Sequence, residues 1–302
     1  MIGEHRMKKI MNSEGANGLL LVSPTLLYAF LLLAVPIAAV VTFSFWTQNY
    51  LDLDTTFTLD NYRAATEEPI YRILLLRSLN ISAIVTVVTV ILAFPIAYYI
   101  SFFVPQNKKA RWIFLITVPF WTSYLLRIFL WKVILGYNGV LNSGLKGLGL
   151  IEQPLTFILY NMNAVVITLA HAWAPFAILP IYVVLEKIDR SLLEASYDLG
   201  ENRVITFLRV TFPLALPGII AAAVIVFIPT IGDYVTPKLV GGPSGLMISN
   251  MIQLQFLKAN NAPLGATLAI LAMISVVLTL AFLWMFGKIF SWVNRNYLGI
   301  LR

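Results

Sequence analysis

Six long apolar stretches limit what this chain can fold into. A helical residue rises about 1.5 Å, so crossing the hydrocarbon core of a bilayer takes about 20 mostly apolar residues. Barrel strands are excluded, because they run about 10 residues with alternating polarity. The expected fold class is therefore an all-α membrane protein with about six transmembrane helices. The predicted spans are residues 19–46, 78–104, 112–135, 163–185, 214–236 and 264–290.

The composition agrees with a lipid environment. Of 302 residues, 59% are apolar and only 12% are charged, which is more nonpolar surface than one water-soluble core of this length hides. No tandem repeat or linker separates a second domain, so we predict a single transmembrane domain over residues 1–302. The chain has no cysteine, which excludes disulfides and thiolate metal sites.

The distribution of Lys and Arg predicts the orientation. With the N-terminus in the cytoplasm, the inner segments hold thirteen basic residues and the outer loops hold six. Basic residues favour the cytoplasmic side of a membrane, so both termini are expected there. The apolar run after the basic N-terminal segment is too long for a signal peptide, which makes it a retained first span.

The cytoplasmic loop at residues 186–213 is the most informative segment. Leucines at near-helical spacing predict a short amphipathic helix from Leu193 to Leu199, and Gly200 is a natural stop. A second short helix is predicted from Val204 to Val210, before Pro213. Two such helices outside the membrane suit docking into a groove of a partner, or they lie on the lipid headgroups.

This loop resembles the EAA loop of permease subunits in bacterial binding-protein-dependent ABC importers. The family pattern is E-A-A, three residues, G, nine residues, I, any residue, L-P, and its spacing is intact here. Serine replaces the second alanine, while valine and phenylalanine replace the isoleucine and the leucine. The matching residues are Glu194, Ala195, Ser196, Gly200, Val210, Phe212 and Pro213.

The resemblance implies the type I ABC importer permease fold and a coupling role for the loop. Glu194 would supply a charge to the partner and Gly200 a tight turn. The implied partners are a second homologous permease, two copies of a cytoplasmic ATPase and a periplasmic or extracellular substrate-binding protein. The implied location is the bacterial inner membrane. ATP and Mg would bind to the ATPase, because this chain has no Walker A pattern.

Four further segments resemble the spermidine/putrescine permeases. This resemblance implies a polyamine or a related organic cation as the cargo, although relatives that carry opines or amino-acid derivatives share these segments. The same resemblance implies that the outer loop from Gly241 to Asn261 contacts the binding protein; a surface helix over the mouth of the bundle is the alternative. The segments are FTLDNY at 57–62, RSLN at 77–80, VPFWTSYLLRI at 118–128 and FIPTIGDYVTPKLVGG at 227–242.

Ionisable residues within the spans indicate a pathway, since a charge at bilayer depth costs several kcal/mol unless it is paired or hydrated. Helical rise places Arg127, Asp233 and His171 in the outer half of the membrane. We expect an ion pair between Arg127 and Asp233, with His171 as a neutral neighbour. The structural alternatives are a cation–π contact of Arg127 with Trp131 and a packing role for His171.

Aromatic residues near these positions complete the candidate pathway. They could bind an organic cation through their ring faces, or they could form an aromatic belt at the membrane interface. The residues are Trp121, Tyr124, Trp173 and Tyr234.

Two other classes of protein fit the sequence less well. An intramembrane hydrolase would have only a serine and His171 as a dyad, and the segment around Ser244 does not fit a nucleophile elbow. We therefore assign no catalytic residue and no metal site. A secondary carrier or channel would not need a docking loop for an ATPase.

Overall fold

The computed structural model describes residues 14–50 and 52–293. The first half contains α1 Glu14–Phe43, β1 Thr47–Asn49, β2 Asp52–Asp54, α2 Asp60–Glu67, α3 Pro69–Phe102, α4 Gln106–Thr117, α5 Tyr124–Leu135 and α6 Val140–Gly147. The second half contains α7 Met162–Glu186, α8 Arg190–Asp198, α9 Arg203–Thr206, α10 Phe212–Gly232, α11 Val235–Val240, α12 Gly242–Gly245, α13 Ile248–Leu257 and α14 Ala262–Val293. Short 3₁₀ turns lie at Val118–Trp121 and Thr156–Ile158, and a π-helical turn lies at Phe207–Thr211.

Six of the described helical stretches are long and apolar enough to cross a membrane, which confirms the all-α, six-helix fold class. They are Leu21–Phe43, Pro69–Phe102, Tyr124–Gly147, Met162–Glu186, Arg203–Gly232 and Ala262–Phe282. The most apolar window of the first helix has no buried residue within this chain. Its side chains are therefore left for lipid or for another subunit.

The third predicted span, 112–135, is not one helix. Helix α4 ends at Thr117, the chain passes through the 3₁₀ turn Val118–Trp121, and α5 begins at Tyr124. Pro119 lies in that turn and has no N–H to continue the α-helical hydrogen bonds. Residues 112–117 thus belong to α4, and the predicted start of the third span at residue 112 is wrong. The apolar run continues through the break, so the sequence alone did not indicate it.

Helices α3, α7 and α10 form the centre of the bundle. Ile81, Leu169 and Ala222 are fully buried between them. Helix α10 approaches α7 so closely that a Cβ at Gly218 would lie 2.9 Å from the carbonyl oxygen of Pro180. These three helices hold the loop of residues 186–213 at one end of the bundle and the polar residues of the spans at the other end.

The end of α1 is fastened to two other helices. The hydroxyl groups of Ser44 and Tyr62 lie 2.8 Å apart, and Asn61 Nδ2 donates to the carbonyl oxygen of Ser44 at 3.2 Å. Thr267 on α14 donates to the same carbonyl at 3.2 Å. The hairpin β1–β2 follows directly, with Thr47 paired to Asp54.

Candidate functional site

Helix α8 is capped at both ends by residues of the loop. The Asp189 carboxylate accepts a hydrogen bond of 3.0 Å from the backbone N–H of Ser191, and this bond lowers the pKa of Asp189. The cap starts the helix at Arg190, three residues before the predicted start. At the other end, Gly200 has a φ of +83° and its N–H donates to Tyr197. Gly200 therefore ends the helix in the left-handed conformation that favours glycine.

The second predicted helix of the loop is part of the fifth span. Asn202 caps α9 by accepting hydrogen bonds from Val204 and Ile205, both at 3.0 Å. Helix α9 then continues through the π turn Phe207–Thr211 into α10 without an intervening loop. The expected break before Pro213 is thus absent. The π turn ends where the N–H of Phe212 donates to the carbonyl oxygen of Phe207. The next residue is Pro213, which has no N–H to donate.

The coupling residues predicted from the family pattern lie on different faces of the loop. Glu194, Ala195 and Gly200 are exposed, whereas Val210 and Pro213 are half-buried. Ser196 is buried, and its hydroxyl lies 2.9 Å from that of Thr206. The serine that departs from the family pattern therefore fixes α8 to α9 and does not face outward.

Two apolar side chains, one from each predicted helix of the loop, are exposed. Leu199 is 84% exposed and Val204 is 66% exposed, on either side of the turn at Gly200. Apolar side chains left open to this extent beside a charged residue are available to a partner protein or to the lipid headgroups. We call Glu194, Ala195, Leu199 and Val204 the docking face.

The polar residues of the spans meet around Asp233. One carboxylate oxygen accepts from the backbone N–H groups of Val235 and Thr236, at 2.8 and 3.3 Å. The other accepts from the Tyr124 hydroxyl at 2.5 Å, and that hydroxyl lies 3.0 Å from Thr236 Oγ1. The carboxylate is buried, so these bonds stabilise its charge.

The predicted ion pair between Arg127 and Asp233 is wrong. Hydrogen-bond donors from Tyr124 and from the start of α11 occupy both oxygens of Asp233. The guanidinium carbon of Arg127 instead lies 4.5 Å from the ring centre of Phe120 and 5.9 Å from that of Tyr124. Within the described residues, Nε and Nη1 of Arg127 have no hydrogen-bond partner.

His171 interacts with Trp131 and not with the carboxylate. The indole Nε1 of Trp131 donates to His171 Nδ1 at 3.1 Å, and the two rings lie edge to face at 5.2 Å. The ring nitrogen of His171 thus accepts a hydrogen bond, as expected of a neutral imidazole. Trp131 therefore partners His171, and the cation–π contact expected between Trp131 and Arg127 is made with Phe120 and Tyr124.

Of the four predicted aromatic residues, only Tyr124 and Trp173 lie together near Asp233. Trp173 lies 6.3 Å from Tyr124 between ring centres. Trp121 is 75% exposed and contacts Phe114, and Tyr234 lines a separate apolar cavity of about 590 Å³ between α10, α13 and α14. Tyr124 thus lies beside each of Arg127, Trp173 and Asp233. We call these four residues the outer cluster.

Comparison with known proteins decides the family. Residues 17–291 match the family described as binding-protein-dependent transport system inner membrane component. The chain belongs to this family. It is an ABC importer permease and a multi-pass protein of the inner membrane, as the loop and the six helices indicated.

Relatives of known name share most of the chain. The spermidine/putrescine transport system permease protein PotB of Escherichia coli K12 is 38% identical over 235 residues, covering 78% of this chain and 84% of the relative. The inner membrane ABC transporter permease protein YdcU of the same organism is 36% identical over 242 residues, with 76% of each chain covered. Members of this family are transport permeases, which disfavours the hydrolase alternative.

A solved structure supports the same fold. A chain of the bacterial alginate ABC transporter, crystallised with a pentasaccharide-bound periplasmic protein, superimposes with a TM-score of 0.70. The match covers 91% of this chain and 94% of that chain at 16% identity. This likeness confirms the type I importer permease fold.

Proposed function

We propose that this permease imports polyamines, spermidine and putrescine or a close relative of them, using energy from a separate ATPase. The observation that carries the choice of cargo is the 38% identity to PotB, which extends over 235 residues and is not confined to the loop. The outer cluster is compatible with an organic cation. It offers a buried carboxylate at Asp233 and the ring faces of Tyr124 and Trp173.

In this proposal the docking face receives mechanical work from the ATPase. Glu194 supplies a charge, while Leu199 and Val204 supply exposed apolar area for a groove of the ATPase. ATP and Mg bind to that subunit and not to this chain. Closure of the ATPase dimer moves α8, and the bundle then opens outward by alternating access.

The remaining partners and the orientation belong to the same proposal. A second homologous permease covers the apolar side chains of α1 and completes the pathway. A periplasmic or extracellular binding protein delivers the cargo at the opposite face, against the segment from Gly241 to Asn261. Both termini lie in the cytoplasm, in agreement with the excess of Lys and Arg on that side.

A second candidate cargo is an amino-acid derivative. The guanidinium of Arg127 has two nitrogens without a hydrogen-bond partner in the described chain, and it lies beside the ring of Tyr124, whose hydroxyl is bonded to the buried carboxylate of Asp233. A solute with both an amine and a carboxylate would find an opposite charge for each group. This arrangement gives that alternative a specific structural basis.

Uptake by the reconstituted importer tests the proposal. The permease pair and the ATPase are placed in liposomes, with the cognate binding protein and labelled putrescine or spermidine outside and ATP on the side of the ATPase. We expect uptake that needs both ATP and the binding protein. Uptake without ATP would contradict the importer mechanism, and ATP-dependent uptake of an amino-acid derivative but of neither polyamine would favour the second cargo.

A further inference from the structure

Two neighbouring segments and a third that is distant in sequence meet at one point at the cytoplasmic end of the bundle. They are the last turn of α3, helix α4, and the segment where α7 ends and α8 begins. Ser101, Lys109, Glu186 and Arg190 make the contacts, and we call these four residues the basal junction.

Lys109 is the centre of the basal junction. It is only 8% exposed, and its ammonium group donates to Glu186 Oε1 at 2.7 Å, to Glu186 Oε2 at 2.8 Å and to the carbonyl oxygen of Ser101 at 3.0 Å. Lysine is rarely buried unless it is paired. Here every acceptor belongs to a different helix from its own, so the side chain serves contacts between elements.

Arg190 joins α8 to the same carbonyl. It is the first residue of α8, and its Nη2 donates to the carbonyl oxygen of Ser101 at 2.8 Å. Its guanidinium carbon also lies 3.8 Å from the ring centre of Phe102. Carbonyl groups in the last turn of a helix lack helical partners and carry partial negative charge, so two cations stabilise the end of α3.

The covalent chain connects α8 only to the fourth and fifth spans, α7 and α10. We propose that the basal junction makes α8 and the second span, α3, move as one body during the transport cycle. Force applied to the docking face then reaches all three helices at the centre of the bundle. Lys109, Glu186 and Arg190 are positioning residues in this mechanism, which rests on the proposed function.

Replacing Lys109 measures the effect on coupling. In the complete importer in liposomes, we expect Lys109→Met to lower the number of cargo molecules imported per ATP hydrolysed by about tenfold, a typical size for coupling between sites. Lys108→Met is the matched control, because it removes the same charge from the neighbouring, exposed position of α4. Lys109→Arg, which keeps the charge, should restore most of the ratio. An unchanged ratio in Lys109→Met would overturn the proposal.

A covalent tether distinguishes a junction that stays closed throughout the cycle from one that must open in each cycle. This test does not depend on how Lys109→Met folds. Because the chain has no cysteine, Ser101→Cys with Arg190→Cys introduces a unique pair, one on α3 and one on α8, that a short bifunctional thiol reagent can bridge. If α3 and α8 move together, bridging restores uptake toward that of the unsubstituted importer. Loss of uptake on bridging, with recovery when the bridge is cleaved, would show that the contact must break and would contradict the proposal.

These results are distinguishable from failure of the proposed function. If the unsubstituted importer shows no ATP-dependent uptake of any tested solute, the proposed function fails before a variant is compared. If it is active and the tethered pair blocks it, the proposed function stands and only the basal junction mechanism fails.

Discussion

The hydroxyl of Tyr124 donates a 2.5 Å hydrogen bond to the buried carboxylate of Asp233, joining residues 109 positions apart in the chain. The bond connects the start of α5 to the end of α10 at the point where α10 gives way to α11. It also explains why Arg127 stands beside the ring of Tyr124 and not against the carboxylate. A tyrosine thus separates two opposite charges that the sequence alone would pair.

Removing this hydroxyl should destabilise the bundle. Tyr124→Phe leaves one oxygen of Asp233 without a donor, and we expect a loss of about 1 to 3 kcal/mol in the free energy of unfolding. Thermal unfolding of the detergent-solubilised protein measures it. Tyr99→Phe is the control, because Tyr99 is 50% exposed and its hydroxyl makes no hydrogen bond to the described part of the chain. Equal melting temperatures for the two variants would refute the role of the bond.

Exchanging the charges of the outer cluster should not restore function. Since Arg127 and Asp233 do not pair, the double variant Arg127→Asp with Asp233→Arg loses the hydrogen bonds that Asp233 accepts at the start of α11 and buries an arginine where a carboxylate was. We expect its uptake to be no higher than that of either single variant in the liposome assay. Recovery of uptake in the double variant would show that the two residues do pair in some state of the cycle.

The two faces of α8 should respond differently to substitution. Glu194→Ala alters the docking face, so we expect weaker retention of the ATPase during purification of the complex. Ser196→Ala restores the alanine of the family pattern and removes only the bond to Thr206, which costs about 1 kcal/mol of stability. The ATPase should be retained by that variant. Equal losses of the ATPase from both would mean that the assignment of faces is wrong.

Coupling should depend on the backbone conformation of Gly200 and not on the space around it. Among the described residues other than its two chain neighbours, none has a heavy atom within 4 Å of where its Cβ would be, but its φ is +83°. A β-branched residue there is strained by about 1 to 2 kcal/mol, whereas asparagine tolerates this conformation. Gly200→Val should therefore reduce uptake per ATP, and Gly200→Asn should retain it. Membrane levels of both variants, measured by immunoblotting, should match the unsubstituted protein.

The cap of α8 should resist mild acid. Because the bond to the N–H of Ser191 holds the pKa of Asp189 below its ordinary value, the cap is present above the ordinary carboxyl pKa of about 4 and is lost only as pH falls through the lowered value. Hydrogen exchange at residues 190–193 should show no loss of protection, relative to the rest of α8, between pH 7 and 5. Asp189→Ala should lose that protection at neutral pH. A relative loss of protection in the unsubstituted protein within this range would contradict the capping role.

Local sequence patterns were sufficient to predict the fold and much of the structure of the loop at residues 186–213. Apolar length predicted the six membrane helices, and the glycine at position 200 marked the end of α8 because its backbone requirement is local. The break at Pro119 was missed, because the surrounding residues stay apolar and a proline in a membrane helix often causes only a kink. Contacts between helices of the bundle were still harder to predict from the sequence. That Tyr124 reaches Asp233, or Lys109 reaches Glu186, depends on how helices pack and has no signature in spacing.

The position of the docking face against an ATPase is the most direct test of the account. Because the chain has no cysteine, Glu194→Cys gives a single attachment point for a thiol-to-amine cross-linker in the purified, assembled importer. We predict a product that contains this permease and the ATPase, and labelling of Cys at position 194 by an impermeant maleimide only from the cytoplasmic side. Labelling from the external side of intact cells, or an active importer with no cross-link to its ATPase, would contradict the account.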